Sequence, residues 1–134
     1  MPEAEAKLTQ QIEDFKSAIG HLKEALEEPL DVHNFIRDSA IKRFELCSEL
    51  AWKTLKQYLF VRHAVECASP LGCLRSAYKV EFIADDPFWV HIFELRNLAT
   101  HTYKESLAQE LFAKLPATLE RFDTLLKNMS SALP

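Results

Sequence analysis

Leu8-Thr9-Gln10-Gln11-Ile12-Glu13-Asp14-Phe15-Lys16-Ser17-Ala18-Ile19-Gly20-His21-Leu22-Lys23-Glu24-Ala25-Leu26 is the stretch that decides the fold class. Its apolar positions Leu8, Ile12, Phe15, Ile19, Leu22 and Leu26 alternate steps of four and three. That is the period of one face of an α-helix. The spacing predicts a first helix over about residues 4–27, ended before Pro29. Gly20 and His21 flank the stripe without breaking its period. Pro29 to His33 then reads as a short connection.

Outward from this helix the pattern repeats. Asn34 is a candidate N-cap, and a second helix is predicted from about Asn34 to Ala68, continuous or bent near Val61. Phe35, Ile41, Phe44, Leu55 and Leu59 supply its apolar side, and Arg37, Lys42, Arg43, Glu49 and Lys53 much of its polar side. Ser69-Pro70 is a start signal, Ser as cap and Pro at the first helical position. It opens a third helix over about 70–83, with Gly72 weakening its first turn. Asp86-Pro87 repeats the signal for a fourth, about 87–103. Ser106 with Gln109 reads as a capping box for a fifth. Pro116 inside that helix predicts a kink or a brief break, and Met129 to Pro134 are expected to fray. No segment alternates with period two, and the connections are short. The expected architecture is all-α: an antiparallel up-and-down bundle of about five helices around a four-helix core, one domain over residues 1–134.

Composition narrows the function classes. Of 134 residues, 48% are apolar and 27% charged, as in ordinary globular chains, and only two are glycine. A net charge of -4 argues against sequence-independent binding to long nucleic acid, which needs a broad basic surface. Cys47, Cys67 and Cys73 are odd in number and lack a CxxC spacing, so neither a disulfide framework nor a zinc site is expected. Buried free thiols in a reducing compartment are the simplest account. Met1-Pro2-Glu3-Ala4-Glu5 is acidic with no apolar run behind it, so a secretory signal is not expected. No stretch approaches a membrane-spanning length. The expected location is the cytoplasm.

The chemistry concentrates in Arg96-Asn97-Leu98-Ala99-Thr100-His101-Thr102-Tyr103. Asn97 and His101 are four apart, and Arg96 and Tyr103 seven apart with Thr100 between them. On one helix these five residues form a continuous polar strip. Leu95, Leu98, Ala99 and Thr102 would then face the bundle. Arg is a permanently charged fork for phosphate oxygens. A helix C-terminus favours protonated His, which suits His101 to proton transfer. Spacing alone also fits a solvated helix face or a satisfied core histidine.

A longer set of residues adds to this. Arg37-Asp38-Ser39-Ala40-Ile41-Lys42-Arg43-Phe44-Glu45 leads into Glu49-Leu50-Ala51-Trp52-Lys53-Thr54-Leu55-Lys56. Ser69-Pro70, Asp86 with Trp89, and the Arg96–Tyr103 octet follow. In that order and spacing they closely resemble the nucleotidyltransferase substrate-binding family, a branch of the HEPN superfamily that includes HepT-like toxins. The resemblance runs from about Asn34 to the C-terminus, and the first helix fits the same bundle. HEPN proteins carry Arg, four to six residues, then His; Arg96 and His101 fit with four.

The resemblance implies a small all-α bundle that forms a homodimer, the Arg/His helices of two copies facing a shared cleft. It implies a partner, a minimal nucleotidyltransferase. In toxin–antitoxin pairs of this type the HEPN member is a metal-independent ribonuclease. Its partner neutralises it by transferring AMP to the tyrosine two positions after the His, which here is Tyr103. Arg96 would neutralise phosphate charge, His101 would move a proton at the ribose 2′-hydroxyl or the leaving oxygen, and Asn97 would orient His101 or substrate. RNA follows from the need for the 2′-hydroxyl. The alternative implied by the same family is a non-enzymatic subunit that binds nucleotide or substrate for the nucleotidyltransferase.

Arg37, Lys42, Arg43 and Thr100 could contact RNA or nucleotide; equally the three basic residues could pair with Asp38, Glu45 and Glu49 along an exposed helix. Trp52 and Trp89 read as core or interface aromatics. His91 and Glu94, like His21 and Glu24, are three apart, but in the reverse order to the bundle di-metal pattern, so no metal site is expected. With no Gly-rich phosphate loop, no cofactor is expected. No membrane association is expected. The apolar surface carried by five helices in so few residues leaves a face for a partner.

Overall fold

The structure is a computed structural model that describes residues 2–131. Among these residues there are five α-helices and no strand: α1 Pro2–Glu27, α2 Phe35–His63, α3 Pro70–Lys79, α4 Phe88–Leu98 and α5 Glu105–Ser131. A single 3₁₀ turn, Ala99–His101, joins α4 to the connection before α5. The all-helical architecture is the one that the apolar periodicity predicts.

Every stripe position of α1 faces inward. Leu8, Ile12, Phe15, Ile19 and Leu22 are each less than 5% exposed. Side chains of this size each contribute about 1.5–3 kcal/mol when removed from water. α2 returns antiparallel to α1. Arg62 pairs with Glu5 at one end, and Arg43 Nη1 lies 3.8 Å from Glu24 at the other. Between them the Thr54 hydroxyl donates to the Gln11 carbonyl at 3.4 Å. α5 starts beside the start of α2, because Arg37 reaches Glu105 there at 2.6 Å. α4 runs opposite to α2 and delivers Arg96 to Glu49. Phe122 of α5 sits where the helices converge. Its ring meets Phe15 edge-on at 5.8 Å, stacks with Phe44 at 6.4 Å and touches Trp89 at 6.1 Å. Edge-on and offset contacts suit the ring quadrupoles.

Helix ends depart from several expectations. α2 stops at His63, five residues short of Ala68, because Ala64 adopts the left-handed conformation (φ 54°) and its N–H returns to the Phe60 carbonyl. This is an αL stop of the kind glycine usually makes. With alanine there, nothing local announces it. α3 likewise ends at Lys79, not Ile83. Glu81 is left-handed (φ 60°), and the Glu81 and Phe82 N–H groups return to Tyr78 and Ala77 in a Schellman pattern. Asn34 stands at the start of α2, but its side chain caps nothing. The Asp31 carboxylate does so instead, accepting from the N–H groups of His33, Phe35 and Ile36. Ser106 is already inside α5 and is not its cap. Gln109 donates to Glu105 at 3.2 Å. α5 passes Pro116 without a break. Met129, expected to fray, is fully buried, and α5 continues to Ser131; residues 132–134 lie outside the described part. Ser69 does cap α3, accepting from Gly72 N at 3.0 Å. A Cβ on Gly72 would stand 2.9 Å from the Ser69 hydroxyl, so this close approach suits glycine.

The cysteines overturn their sequence reading. Cys67 and Cys73 form a disulfide, Cα–Cα 5.2 Å, and only Cys47 is free. The bridge becomes feasible because the Ala64 stop turns the chain back and Ser69 restarts it as helix. Burial pushes the Cys47 thiol up to about 12, leaving it inert. With one bridge present, the thiols no longer argue for a reducing compartment. No helix of the described residues is long and apolar enough to cross a membrane.

Phe122→Ala is expected to destabilise the fold by about 3–5 kcal/mol, from lost transfer energy plus the cavity left at the helix junction. Urea denaturation of the two proteins checks this. Reducing the Cys67–Cys73 bridge, whose cysteines are six positions apart, should remove about 2 kcal/mol of loop-closure stabilisation. Denaturation midpoints with and without reductant measure it.

Candidate active site

Leu95 and Ala99 point into the core, Leu98 and Thr102 are half-buried, and Arg96, Asn97, Thr100, His101 and Tyr103 are exposed. The inward and outward sets are thus the ones expected. The backbone that carries them is not one continuous α-helix. α4 ends at Leu98, and Ala99–His101 tighten into a 3₁₀ turn. Two threonines accompany the tightening. The Thr100 hydroxyl donates to the Asn97 carbonyl at 3.3 Å and the Thr102 hydroxyl to the Ala99 carbonyl at 3.1 Å. Such back-bonding gives helix-end carbonyls partners that the next turn no longer supplies. The Lys104 N–H then closes on the His101 carbonyl.

Two consequences follow for the side chains. His101 and Tyr103 meet: His101 Nδ1 lies 3.3 Å from the Tyr103 hydroxyl, with the rings edge to face at 5.9 Å. Tyr103 is 76% exposed, so a reagent can reach its oxygen. Arg96, one turn earlier, turns toward α2. Its Nη2 donates to Glu49 Oε2 at 2.9 Å. The other carboxylate oxygen, Glu49 Oε1, accepts from Trp52 Nε1 at 2.8 Å. The guanidinium therefore has one edge pinned while the Arg96 side chain remains 43% exposed, with its other donors available to an anion.

Arg96 and Asn97 border a groove of about 470 Å³ between α2, the start of α3 and α4. Trp52, Leu71, Val90 and Phe93 make its walls apolar, and Glu94 joins Asn97 at the rim. His101 and Tyr103 do not line it. Beyond the octet, Arg37 braces the site from beneath. It is 8% exposed and grips Glu105 with two bonds, 2.6 and 3.1 Å, two residues after Tyr103.

Known proteins resemble this chain over most of its length. Residues 10–131 match the family described as "Nucleotidyltransferase substrate binding protein like". The chain belongs to that family. It is 28% identical over 108 residues to a Haemophilus influenzae protein named "Probable ribonuclease HepT", covering 76% of this chain and 73% of the relative. A Thermus thermophilus crystal structure is similar at TM-score 0.73 and 32% identity, over 87% of this chain and 96% of that one. A Haemophilus influenzae structure reported to reveal "the fold of a substrate binding domain of a nucleotidyltransferase" shares the fold at TM-score 0.67 and 23% identity. That match covers 94% of this chain and 98% of the other.

Within this family member the remaining candidates scatter. Arg37 is spent on Glu105 and Asp38. Arg43 donates to the His21 carbonyl and pairs with Glu24, on the α1 side of α2. Lys42 is exposed. Arg37 thus pairs with Asp38 along its own helix, as the sequence suggested, while the cross-helix partners Glu105 of Arg37 and Glu24 of Arg43 were not foreseen. Trp89 is core, as expected, and Trp52 is half-buried at the groove. Among the described residues no three His, Cys, Asp or Glu side chains are grouped to hold a metal. Sequence reading missed Glu49, Glu94 and Glu105. Glu49 and Trp52, three apart on α2, were visible as a pair, but their target Arg96 is 47 positions away from Glu49.

The bracing has a pH signature. The hydrogen bonds from Arg37 hold the Glu105 carboxyl below its ordinary 4.5. The Ile36 N–H, followed by other backbone donors, holds Asp31 below 3.8. A lowered carboxyl contributes stability that is whole above its unfolded pKa and lost as pH falls through the folded one. The end of the bundle that carries Tyr103 is therefore expected to lose stability on acidification, as is the opposite end, where Arg62 holds the Glu5 carboxyl below its ordinary value. Glu105→Gln should weaken the protein near neutral pH and shrink its further loss in acid. Urea midpoints at about pH 7 and about pH 3 test both.

Proposed function

We propose that this chain is a metal-independent RNA endonuclease of the HEPN class, a HepT-like toxin that acts as a homodimer. Its partner is a minimal nucleotidyltransferase that neutralises it by moving AMP to Tyr103. The observation that carries the reading is the exposed triad at the end of α4. Arg96 has one edge pinned and the rest free, and His101 and Tyr103 touch at 3.3 Å. The named relative supports the same direction.

The chemistry needs little else. Arg96 binds the phosphate and offsets the charge that gathers on its oxygens in the transition state. The 2′-oxygen of the preceding ribose attacks phosphorus as an imidazole takes its proton. The bond to the 5′-oxygen breaks, and that oxygen leaves with a proton from a second imidazole. The products are a 2′,3′-cyclic phosphate and a 5′-hydroxyl. One copy supplies one His101, so the shared cleft of a dimer provides the base and the acid. Asn97 orients substrate at the groove rim.

Silencing follows from the His101–Tyr103 contact. The Tyr103 oxygen attacks the α-phosphorus of ATP, pyrophosphate leaves, and the phenolic proton goes to solvent. The tyrosine then carries a bulky anion against the imidazole and within the field of Arg96. The modification blocks the cleft and occupies its cation together.

A second reading has its own support. The groove takes in Arg96 and Asn97 but excludes His101, which suits a subunit that binds nucleotide or substrate for the nucleotidyltransferase without cleaving it. RNA cleavage by the purified chain separates the readings. Wild type should cut RNA in chelator, and His101→Ala should lose at least a hundredfold in rate. Equal cleavage by both would remove the nuclease assignment. Incubation with the partner and ATP should add one AMP to wild type and none to Tyr103→Phe, read by intact mass.

A further inference from the structure

The groove beside Arg96 has a chemistry of its own. Val90, Glu94 and Asn97 lie at i, i+4 and i+7, one face of α4, and form one wall. Trp52 of α2 stands in the groove, its indole N–H held by Glu49, so that ring is fixed. The floor is Ser69-Pro70-Leu71, a segment bracketed by the Cys67–Cys73 bridge and capped onto α3 through Gly72. Leu71 and Val90 remain 41% and 44% exposed. Trp52, Leu71, Val90 and Phe93 therefore make a largely apolar lining, while Arg96 and, two residues before it on α4, Glu94 also border the groove. Glu49 lines it too, but its carboxylate is taken by Arg96 and Trp52, which leaves Glu94 as the carboxylate open to a ligand.

We propose that this groove is a nucleobase subsite next to the phosphate held by Arg96, and that it selects a base with an amino edge, guanine above the others. Flat apolar walls with an aromatic side chain take any base. The selection comes from Glu94. A carboxylate accepts only, so it rewards N–H groups on the base edge. Guanine offers it two adjacent donors, N1–H and the exocyclic amine; adenine and cytosine offer an amine, and uracil a single ring N–H. Charge complementarity fixes the occupant's orientation, phosphate toward Arg96 and base edge toward Glu94. The inference rests on the reading of Arg96 as the phosphate-binding group.

The test measures affinities of the intact protein for GMP, AMP, CMP, UMP and ribose 5-phosphate by calorimetry, with sedimentation and RNA cleavage run alongside. GMP should bind at least tenfold more tightly than ribose 5-phosphate and UMP the least tightly of the nucleotides. Glu94→Gln should bring the GMP to UMP ratio close to one while both still bind more tightly than ribose 5-phosphate. Ribose 5-phosphate binding as well as every nucleotide would overturn the proposal. So would Leu71→Glu splitting a dimer, since a second copy would then fill the groove. Cleavage by wild type without base preference would remove the subsite and leave the nuclease standing. Base-selective binding without cleavage would keep the subsite and remove the nuclease.

Discussion

The structure depends on burying one ring, Phe122, against Phe15, Phe44 and Trp89. Those four residues come from α5, α1, α2 and α4, so a single packed junction fixes the relative position of these four helices. Aromatic side chains remove large apolar areas from water. Each of these four is at most 7% exposed. With the junction set, the depth at which α4 lies against α2 is set too, and that depth decides which α2 side chain Arg96 meets.

The site is held by ion pairs between helices. Glu49 takes Arg96 with one oxygen and Trp52 with the other. Arg37 takes Glu105, and so ties down the chain just past Tyr103. Exposed ion pairs contribute little to stability as a class. Their value here is geometric. A pinned guanidinium has lost its rotamer freedom before an anion arrives, and that loss need not be met on binding.

Between these two anchors the chain changes from α to 3₁₀ winding, with Thr100 and Thr102 bonded to carbonyls three residues back. The change brings His101 onto Tyr103. A group added to the Tyr103 oxygen would therefore sit directly against the imidazole.

What was legible in the sequence was whatever a single helix decides alone. The step pattern of Leu8 to Leu26 determined that α1 is a helix and which side it buries, because periodicity is a local property of the backbone. The octet's inward and outward residues were legible for the same reason. Ser69-Pro70 announced α3 because capping is chemistry between near neighbours. Only the tertiary structure decided the rest. Ala64 and Glu81 take left-handed conformations that their side chains do not favour, so no local signal marks those helix ends, and packing imposes them. The Cys67–Cys73 bridge follows from the first of those stops. Arg37 was legible as a cation, but its partner Glu105 stands 68 positions away. Glu49 acquires its role only when α4 is laid beside α2. Pairing between distant segments is set by how the apolar faces fit together, and no stretch of chain carries that fit by itself.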